Sequence, residues 1–148
     1  MLRHMSTTKK DTERSRFRCN GFVRDTVGLL PYCRTRDIGV MVYGLLAHGL
    51  LTGTVKPDTT FAAGDWRGRS DIFSGSGFLH NLEIVARLER LAADLGATIS
   101  QLAIAWALAQ PGVHVAVVGA QHLNYLEDSV RATELVLSDT TWPRSTRS

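Results

Sequence analysis

The sequence is poor in the residues that build metal sites and disulfide frameworks. It contains two cysteines, Cys19 and Cys33, which form no CxxC pair. Its five histidines are scattered along the chain, at His4, His48, His80, His114 and His122. Zinc ligands recur at short, characteristic spacings, and small disulfide-stapled proteins are rich in cysteine. The sequence therefore predicts neither a metal site nor a required disulfide.

Long apolar runs are also absent. No stretch approaches the roughly 20 apolar residues that a membrane-spanning helix needs, and the first eighteen residues lack the apolar segment of a signal peptide. With 44% hydrophobic and 21% charged residues, the composition is ordinary for a soluble protein. We therefore expect a cytoplasmic protein with no membrane partner.

The formal net charge of +3 comes largely from basic residues near the two ends. They are Lys9, Lys10, Arg14, Arg16 and Arg18 near the start and Arg144 and Arg147 near the end. A basic arm can bind nucleic-acid phosphates, but this one has no interleaved aromatic residues and no recognition motif. The pattern favours a disordered leader over residues 1–20 and an irregular tail over 140–148, with nucleic-acid binding by the leader as a minor alternative.

Helical and strand-like segments alternate in the body of the chain. Residues 25–36 predict a helix that Gly28 and Pro31 weaken. The apolar run over 38–43 that follows is typical of a strand buried on both faces of a parallel sheet. A second such strand is predicted over 113–118, with a helix from 123 to 132 after it. This rhythm is that of a βα barrel or a doubly wound sheet.

The region between the two strands predicts one long loop and two helices. The loop covers 52–76 and contains Phe61, Trp66 and Phe73, which give it a means of packing. The first helix runs from 81 to 95, where apolar residues share one face and Gly96 supplies the C-cap. The second covers 100–110, begins at a capping box formed by Thr98 and Gln101, and stops at Pro111-Gly112; it is apolar nearly all round.

Both predicted strands leave through glycine into a segment that can start a helix. The first continues as GLLAHGLLTG over 44–53, and the second as GAQ over 119–121. Glycine lets the backbone approach a ligand closely, and the amides at a helix N-terminus face an anion favourably. Because barrels of the (β/α)₈ type often bind phosphate between the loops after strands seven and eight, the sequence predicts a phosphate site here.

Several segments, in order, resemble the aldo-keto reductase family. They are LLPYCRTRDIGVMVYG, DWR followed by Phe73, NLEIVARLERLAADLGATISQLAIAWALAQPGV, and VAVVGAQHLNYLEDSV. The resemblance extends from about residue 22 to residue 138. It implies an α/β fold over residues 21–139: a partial TIM (β/α)₈ barrel that covers roughly strands seven and eight with their flanking helices.

The resemblance also implies a cofactor, NADPH, and the residues that contact it. Tyr43 would stack on the nicotinamide ring. Backbone groups of the following turn would line the pyrophosphate and ribose, at Gly44, Leu45, Leu46, Ala47, His48 and Gly49. Residues after the second strand would surround the 2′-phosphate and the adenine, at Gly119, Gln121, Tyr125, Asp128 and Ser129.

Three departures from the family pattern remove polar contacts to the cofactor. Gln121 replaces an arginine, Thr54 replaces a lysine, and Ser129 replaces an adenine-binding asparagine. Loss of a charged donor to phosphate costs about 1.5–3 kcal/mol. Lys56 and Arg67 are the candidates to compensate. Without the resemblance, Tyr43, His48, Gly49 and Gly53 also have plain structural interpretations, as a rim aromatic and as loop or turn residues.

The family's reacting groups are a tyrosine acid with an aspartate, a lysine and usually a histidine, all from the first half of the barrel. No segment here matches their surroundings, and a whole barrel needs about 250 residues. We therefore assign no catalytic residue and expect a truncated chain that is inactive alone. A small carbonyl compound is the expected substrate if a barrel is completed. The alternative is a non-catalytic remnant that binds a nucleotide, a complementing N-terminal fragment or a second copy of itself.

Overall fold

A computed structural model describes residues 28–137, so the predicted leader and tail lie outside the described residues. The helices are α1 (Leu29–Thr35), α2 (Gly75–Asp94), α3 (Ile99–Leu108) and α4 (Leu123–Arg131). The strands are β1 (Met41–Tyr43) and β2 (Val115–Val117), and short 3-10 helices cover Ala47–Thr52, Trp66–Arg69 and Ala132–Glu134. The order confirms the predicted alternation of strand and helix.

The two strands pair in parallel, with Met41 opposite Val115 and Tyr43 opposite Val117. Parallel strands need a long crossover, which α2 and α3 provide here. The prediction that the first strand is buried on both faces is wrong: Met41 is 56% and Tyr43 69% exposed, and Val115 and Val117 are also exposed. Burial on both faces requires a layer of packing on each side, and the described residues supply that layer on one side only.

Helix α1 begins at Leu29, with Gly28 as its N-cap residue, and the first residues of the predicted helix, 25–27, lie outside the described residues. Pro31 falls in its first turn, where no intrahelical donor is lost and proline is tolerated. Leu30 and Cys33 are buried. Cys33 is a free thiol and is 1% exposed, so among residues 28–137 it acts as a small apolar core residue.

The predicted long loop is held by its own apolar side chains. Phe73 is 4% exposed and belongs to a core cluster that it shares with Leu50, Val55, Phe78, Val85 and Ile99. Phe61 and Trp66 each meet the Phe73 ring edge-on, at centroid distances of 5.3 and 6.3 Å. The segment after the first strand therefore shares this cluster, which we call the loop core, with helices α2 and α3.

Helix α2 begins at Gly75, six residues before the predicted start at Asn81. The reason is Phe78, which is buried and extends the apolar stripe of Val85 and Ala92 by two turns towards the N-terminus. The predicted end is confirmed. Gly96 has φ 66°, its amide donates to Ala93, and the amide of Ala97 donates to Ala92, which is a Schellman motif.

The capping box at the start of α3 is also confirmed. The Gln101 amide donates to Thr98 Oγ1 at 3.1 Å, and the Thr98 amide donates to Gln101 Oε1 at 3.0 Å. Both side chains also donate to the carboxylate of Asp128 on α4. Five of the ten residues of α3 are buried, as its apolar composition predicted. The cap thus ties α3 to α4.

Among the described residues, no single helix has the length and apolar character to cross a membrane. Helices α2 and α3 have the length and composition of a membrane span only when they are taken together, and the pair is bent by 86° at their junction.

Candidate functional site

A shallow depression of about 160 Å³ lies where the carboxyl ends of the two strands meet. Both glycine turns contribute to its lining, which consists of Gly44, Leu45, Leu46, His48, Gly49, Val117, Val118 and Gly119. Parallel strands present their carboxyl ends at one edge of a sheet, so pairing of β1 with β2 brings these two turns together. The depression lies at the position where the sequence predicted a phosphate site.

The turn after β1 has an unusual backbone. Positive φ angles occur at Gly44 (71°), Ala47 (47°), His48 (57°) and Gly49 (100°). For Ala47 and His48, which carry a Cβ, the left-handed region costs roughly 1–2 kcal/mol each. Backbone hydrogen bonds close the turn: the amides of Gly49 and Leu51 both donate to the Leu46 carbonyl, at 2.9 and 3.1 Å. Strain of this kind persists only where surrounding contacts enforce it, and it clusters at ligand sites.

Side chains from the following segment contact the turn from outside the depression. The rings of His48 and Trp66 meet edge-on at 4.8 Å. Arg67 Nη1 lies 3.5 Å from the His48 carbonyl oxygen, and a Cβ placed on Gly49 would lie 3.8 Å from the same nitrogen. Two residues of the DWR segment therefore pack against the strained part of the turn.

Arg67 is itself held by an ion pair with Asp65. Its Nη2 donates to Asp65 Oδ2 at 2.6 Å, its Nε lies 3.0–3.1 Å from both carboxylate oxygens, and its guanidinium lies over the Phe61 ring at 4.7 Å. The side-chain hydrogen bonds from Arg67 hold the pKa of Asp65 below its ordinary value. The same bonds raise the pKa of Arg67. Asp65 also caps the 3-10 helix Trp66–Arg69 through the Arg67 amide.

The turn after β2 is open. Gly119 is exposed, and a Cβ placed there would meet no atom within 4 Å. Helix α4 begins three residues beyond Ala120, and its N-cap residue, His122, is extended and makes no side-chain capping bond. Amides at such a helix end can receive an anion. Open glycine backbone at both turns and an uncapped helix start are what a phosphate-bearing ligand needs, so the residues present fit such a group.

The predicted residues of α4 lie outside the lining of the depression. Asp128 accepts hydrogen bonds from the α3 cap, at 2.8 Å from Gln101 Nε2. Ser129 Oγ donates to the carbonyl of Tyr125 at 2.8 Å within the helix, and the Tyr125 ring meets that of His122. Gln121 is exposed in the loop before α4. For these four residues the cofactor-contact roles stay predictions.

Tyr43 is 69% exposed at the end of β1, one residue before the depression begins. Its stacking role also stays a prediction. Sequence reasoning did not name Val117 and Val118, which line the depression; their position immediately before Gly119 was the available signal. Within residues 28–137, no three histidine, cysteine, aspartate or glutamate side chains are grouped to hold a metal ion.

Two parallel strands, joined through helices and carrying glycine turns at a shared carboxyl edge, define the class as a parallel α/β protein. The sequence profile described as "Aldo/keto reductase family" matches residues 16–147. The chain belongs to the aldo/keto reductase family, a family of oxidoreductases, and its fold is a partial TIM barrel.

Two characterised relatives illustrate the similarity. The aldo-keto reductase yakc (NADP(+)) of Schizosaccharomyces pombe is 34% identical over 118 residues, which cover 80% of this chain and 35% of that protein. The NADH-specific methylglyoxal reductase of Escherichia coli is 34% identical over 111 residues, which cover 75% of this chain and 33% of that protein. The chain spans about a third of the length of these relatives.

A solved structure agrees with the sequence matches. The glycerol dehydrogenase of Gluconobacter oxydans superposes with a TM-score of 0.69 at 30% identity, over 80% of this chain and 36% of that chain. The matched part is again about a third of the neighbour. Membership of the family supports binding of a nicotinamide cofactor.

Proposed function

We propose that this chain supplies the NADPH-binding portion of an aldo-keto reductase. The observation that carries the proposal is the depression in which the turn 44–49 and Gly119 face each other at the carboxyl edge of the sheet. One relative is named for NADP(+) and another for NADH. We therefore propose, as a separate point, that this chain prefers NADPH to NADH.

The chain's own residues would hold the cofactor mainly through the backbone. The turn of Gly44 to Gly49 would cradle the pyrophosphate, since its glycines and left-handed residues leave room for close approach. The open start of α4 after Gly119 would receive the 2′-phosphate. Tyr43 would stack on the nicotinamide ring. When bound, NADPH supplies the hydride for reduction of a carbonyl group.

The same proposal includes inactivity of the chain alone. No segment matches the surroundings of the family's tyrosine, aspartate, lysine and histidine, so a proton donor for the carbonyl must come from elsewhere. With those groups present, the expected reaction is reversible reduction of a small aldehyde or ketone to an alcohol. A cytoplasmic location is part of the same proposal.

Titration with NADPH tests the proposal, with protein fluorescence as the signal and circular dichroism to show that the chain is folded. The informative variant is Gly119→Asp, because the site has space for a side chain and the new carboxylate would repel a phosphate. The matched control is Gly39→Asp, before β1 at the amino edge of the sheet, where a Cβ also meets nothing within 4 Å.

We expect saturable binding by the wild-type chain. Gly119→Asp should weaken it by at least about tenfold, equivalent to about 1.4 kcal/mol. Gly39→Asp should bind as the wild type does. Equal loss in both variants, or no binding by a folded wild-type chain, would reject the cofactor proposal. The ratio of NADPH to NADH affinity decides the preference between the two forms.

A second function is favoured by the open sheet. β1 and β2 pair only with each other among the described residues, and their side chains Met41, Tyr43, Val115 and Val117 are 43–69% exposed. Open strand edges recruit further strands. We propose that a complementing N-terminal barrel fragment, or a second copy of this chain, covers them.

Sedimentation of the chain alone tests self-association, and sedimentation after mixing with the first two thirds of the S. pombe relative tests complementation. A 1:1 complex that reduces an aldehyde with NADPH would support the complementing fragment. A dimer of the chain alone would support the second copy. A stable monomer in both experiments would reject this function.

A further inference from the structure

The DWR segment contacts the turn after β1, and these contacts indicate a role in holding the backbone of the turn rather than in touching the cofactor. We call the three side chains of Asp65, Trp66 and Arg67 the DWR latch. The latch reaches the turn at His48, through the Trp66 ring at 4.8 Å and through Arg67 Nη1 at 3.5 Å from the carbonyl oxygen. It also lies beside Gly49, where an added Cβ would be 3.8 Å from Arg67 Nη1.

These contacts fall on the strained residues of the turn. His48 has φ 57° although it carries a side chain, and Gly49 has φ 100°. A backbone in this region relaxes unless its surroundings hold it. The Leu46 carbonyl closes the turn from within through the Gly49 and Leu51 amides. Leu50 and Leu51 anchor the turn in the core, and the latch adds side-chain contacts at His48 and Gly49.

The charge of Arg67 is already matched within the latch. Three nitrogen-to-oxygen distances of 2.6–3.1 Å join its side chain to Asp65, in the planar fork geometry that only arginine provides. The guanidinium also lies over the Phe61 ring at 4.7 Å. A guanidinium engaged in this way adds little net positive potential at the depression. Arg67 is therefore poorly suited to compensate for the family's phosphate-binding arginine, whose position is occupied by Gln121 in this chain.

We propose that Arg67 is a positioning residue, which holds His48 and Gly49 of the turn 44–53 in their left-handed conformation, and that Asp65 acts by holding Arg67. The consequence for NADPH affinity rests on the proposed function, whereas the effect on the turn does not. Two interpretations are thereby separated. If Arg67 positions the turn, its effect requires both Asp65 and the planar guanidinium group. If Arg67 attracts a phosphate, its effect requires only the positive charge.

Amide hydrogen exchange over residues 44–53 tests the effect on the turn without any cofactor. In Arg67→Met we expect exchange to accelerate by between about twofold and fivefold, the range that an ion pair of partly exposed groups contributes. Arg67→Lys keeps the charge but loses the fork and should accelerate exchange nearly as much. The control is Arg69→Met, which removes an exposed arginine from the same 3-10 helix and should leave exchange unchanged.

Asp65→Asn gives the sharpest comparison, because asparagine keeps the capping oxygen while it removes the charge. The latch predicts faster exchange over 44–53 and weaker NADPH binding in this variant. A phosphate-attracting Arg67 predicts the opposite sign for binding, since loss of a nearby carboxylate should tighten binding of an anion. It also predicts that Arg67→Lys retains affinity.

Exchange in α2 and α3 shows in the same experiment that each variant is folded. Unchanged exchange over 44–53 in Arg67→Met, Arg67→Lys and Asp65→Asn would overturn the proposal. Tighter NADPH binding by Asp65→Asn would overturn it as well. If the folded wild-type chain binds no NADPH, the proposed function fails, while the exchange rates still decide whether the latch holds the turn.

Discussion

The segment from the first turn to α2 and the two-stranded sheet differ in how completely their side chains are buried. Val55, Phe73 and Phe78 are 4–7% exposed, in a cluster that also includes Val85 of α2 and Ile99 of α3. In contrast, Met41 and Tyr43 of β1 are 56% and 69% exposed. The segment buries its apolar side chains against helices of this chain, whereas the strand side chains Met41 and Tyr43 stay exposed among the described residues. In a barrel, strand burial depends on the whole closed sheet.

The largest expected effect comes from Phe73→Ala. The ring is 4% exposed and contacts Phe61, Trp66 and Phe78. Its removal leaves a cavity in the loop core and should lower the free energy of unfolding by about 3–5 kcal/mol. Urea unfolding followed by circular dichroism measures this, with Leu79→Ala, at a 55% exposed position on α2, as the control. Equal losses in both variants would show that the Phe73 ring does not contribute to the loop core.

A smaller effect is expected from Thr98→Ala. This change removes the acceptor for the Gln101 amide and a donor to Asp128. Loss of such a cap costs about 0.5–2 kcal/mol. The unfolding free energy of Thr98→Ala should fall by this amount relative to Thr60→Ala, at an exposed loop position. If the two variants are equally stable, the capping box does not contribute to the link between α3 and α4.

The ion pair of the DWR latch predicts a pH dependence. The hydrogen bonds from Arg67 depress the pKa of Asp65, so the folded state favours the ionised carboxylate. Its contribution to stability is present above the ordinary aspartate pKa and is lost as the pH falls through the depressed value. Exchange over 44–53, corrected for the intrinsic effect of pH, should therefore accelerate relative to α2 below about pH 4. In Asp65→Asn this acid-dependent step should be absent; its persistence would assign it to another group.

The smallest effect on stability is expected on the open sheet. The double variant Met41→Lys and Val115→Lys changes two opposed, exposed side chains. Because neither side chain is buried and the main cost is repulsion between the two facing lysines, the free energy of unfolding should fall by less than about 1 kcal/mol. Association at high concentration should decrease, since lysine on an edge strand opposes further pairing. Light scattering at increasing concentration measures this, and a large loss of stability would mean that the sheet face is covered.

Features encoded over a few residues were predictable. The capping box of Thr98 and Gln101 and the end of α2 at Gly96 depend on neighbours within four or five positions, whereas α3 ends at Leu108, two residues before its predicted end. The family segments likewise predicted the partial barrel and the two turns that line the depression. The start of α2 was predicted six residues too late, because the sequence alone does not show that Phe78 is buried in the loop core.

The sequence by itself therefore determined the order of the elements, the caps, the glycine turns and the family, because each depends on local chemistry or on a succession of segments. The tertiary structure decided the rest. It showed the strand faces as exposed, joined the turns into one depression, engaged Asp128 at the α3 cap, and placed Arg67 against His48. These outcomes depend on which distant residues become neighbours, and no local pattern specifies that.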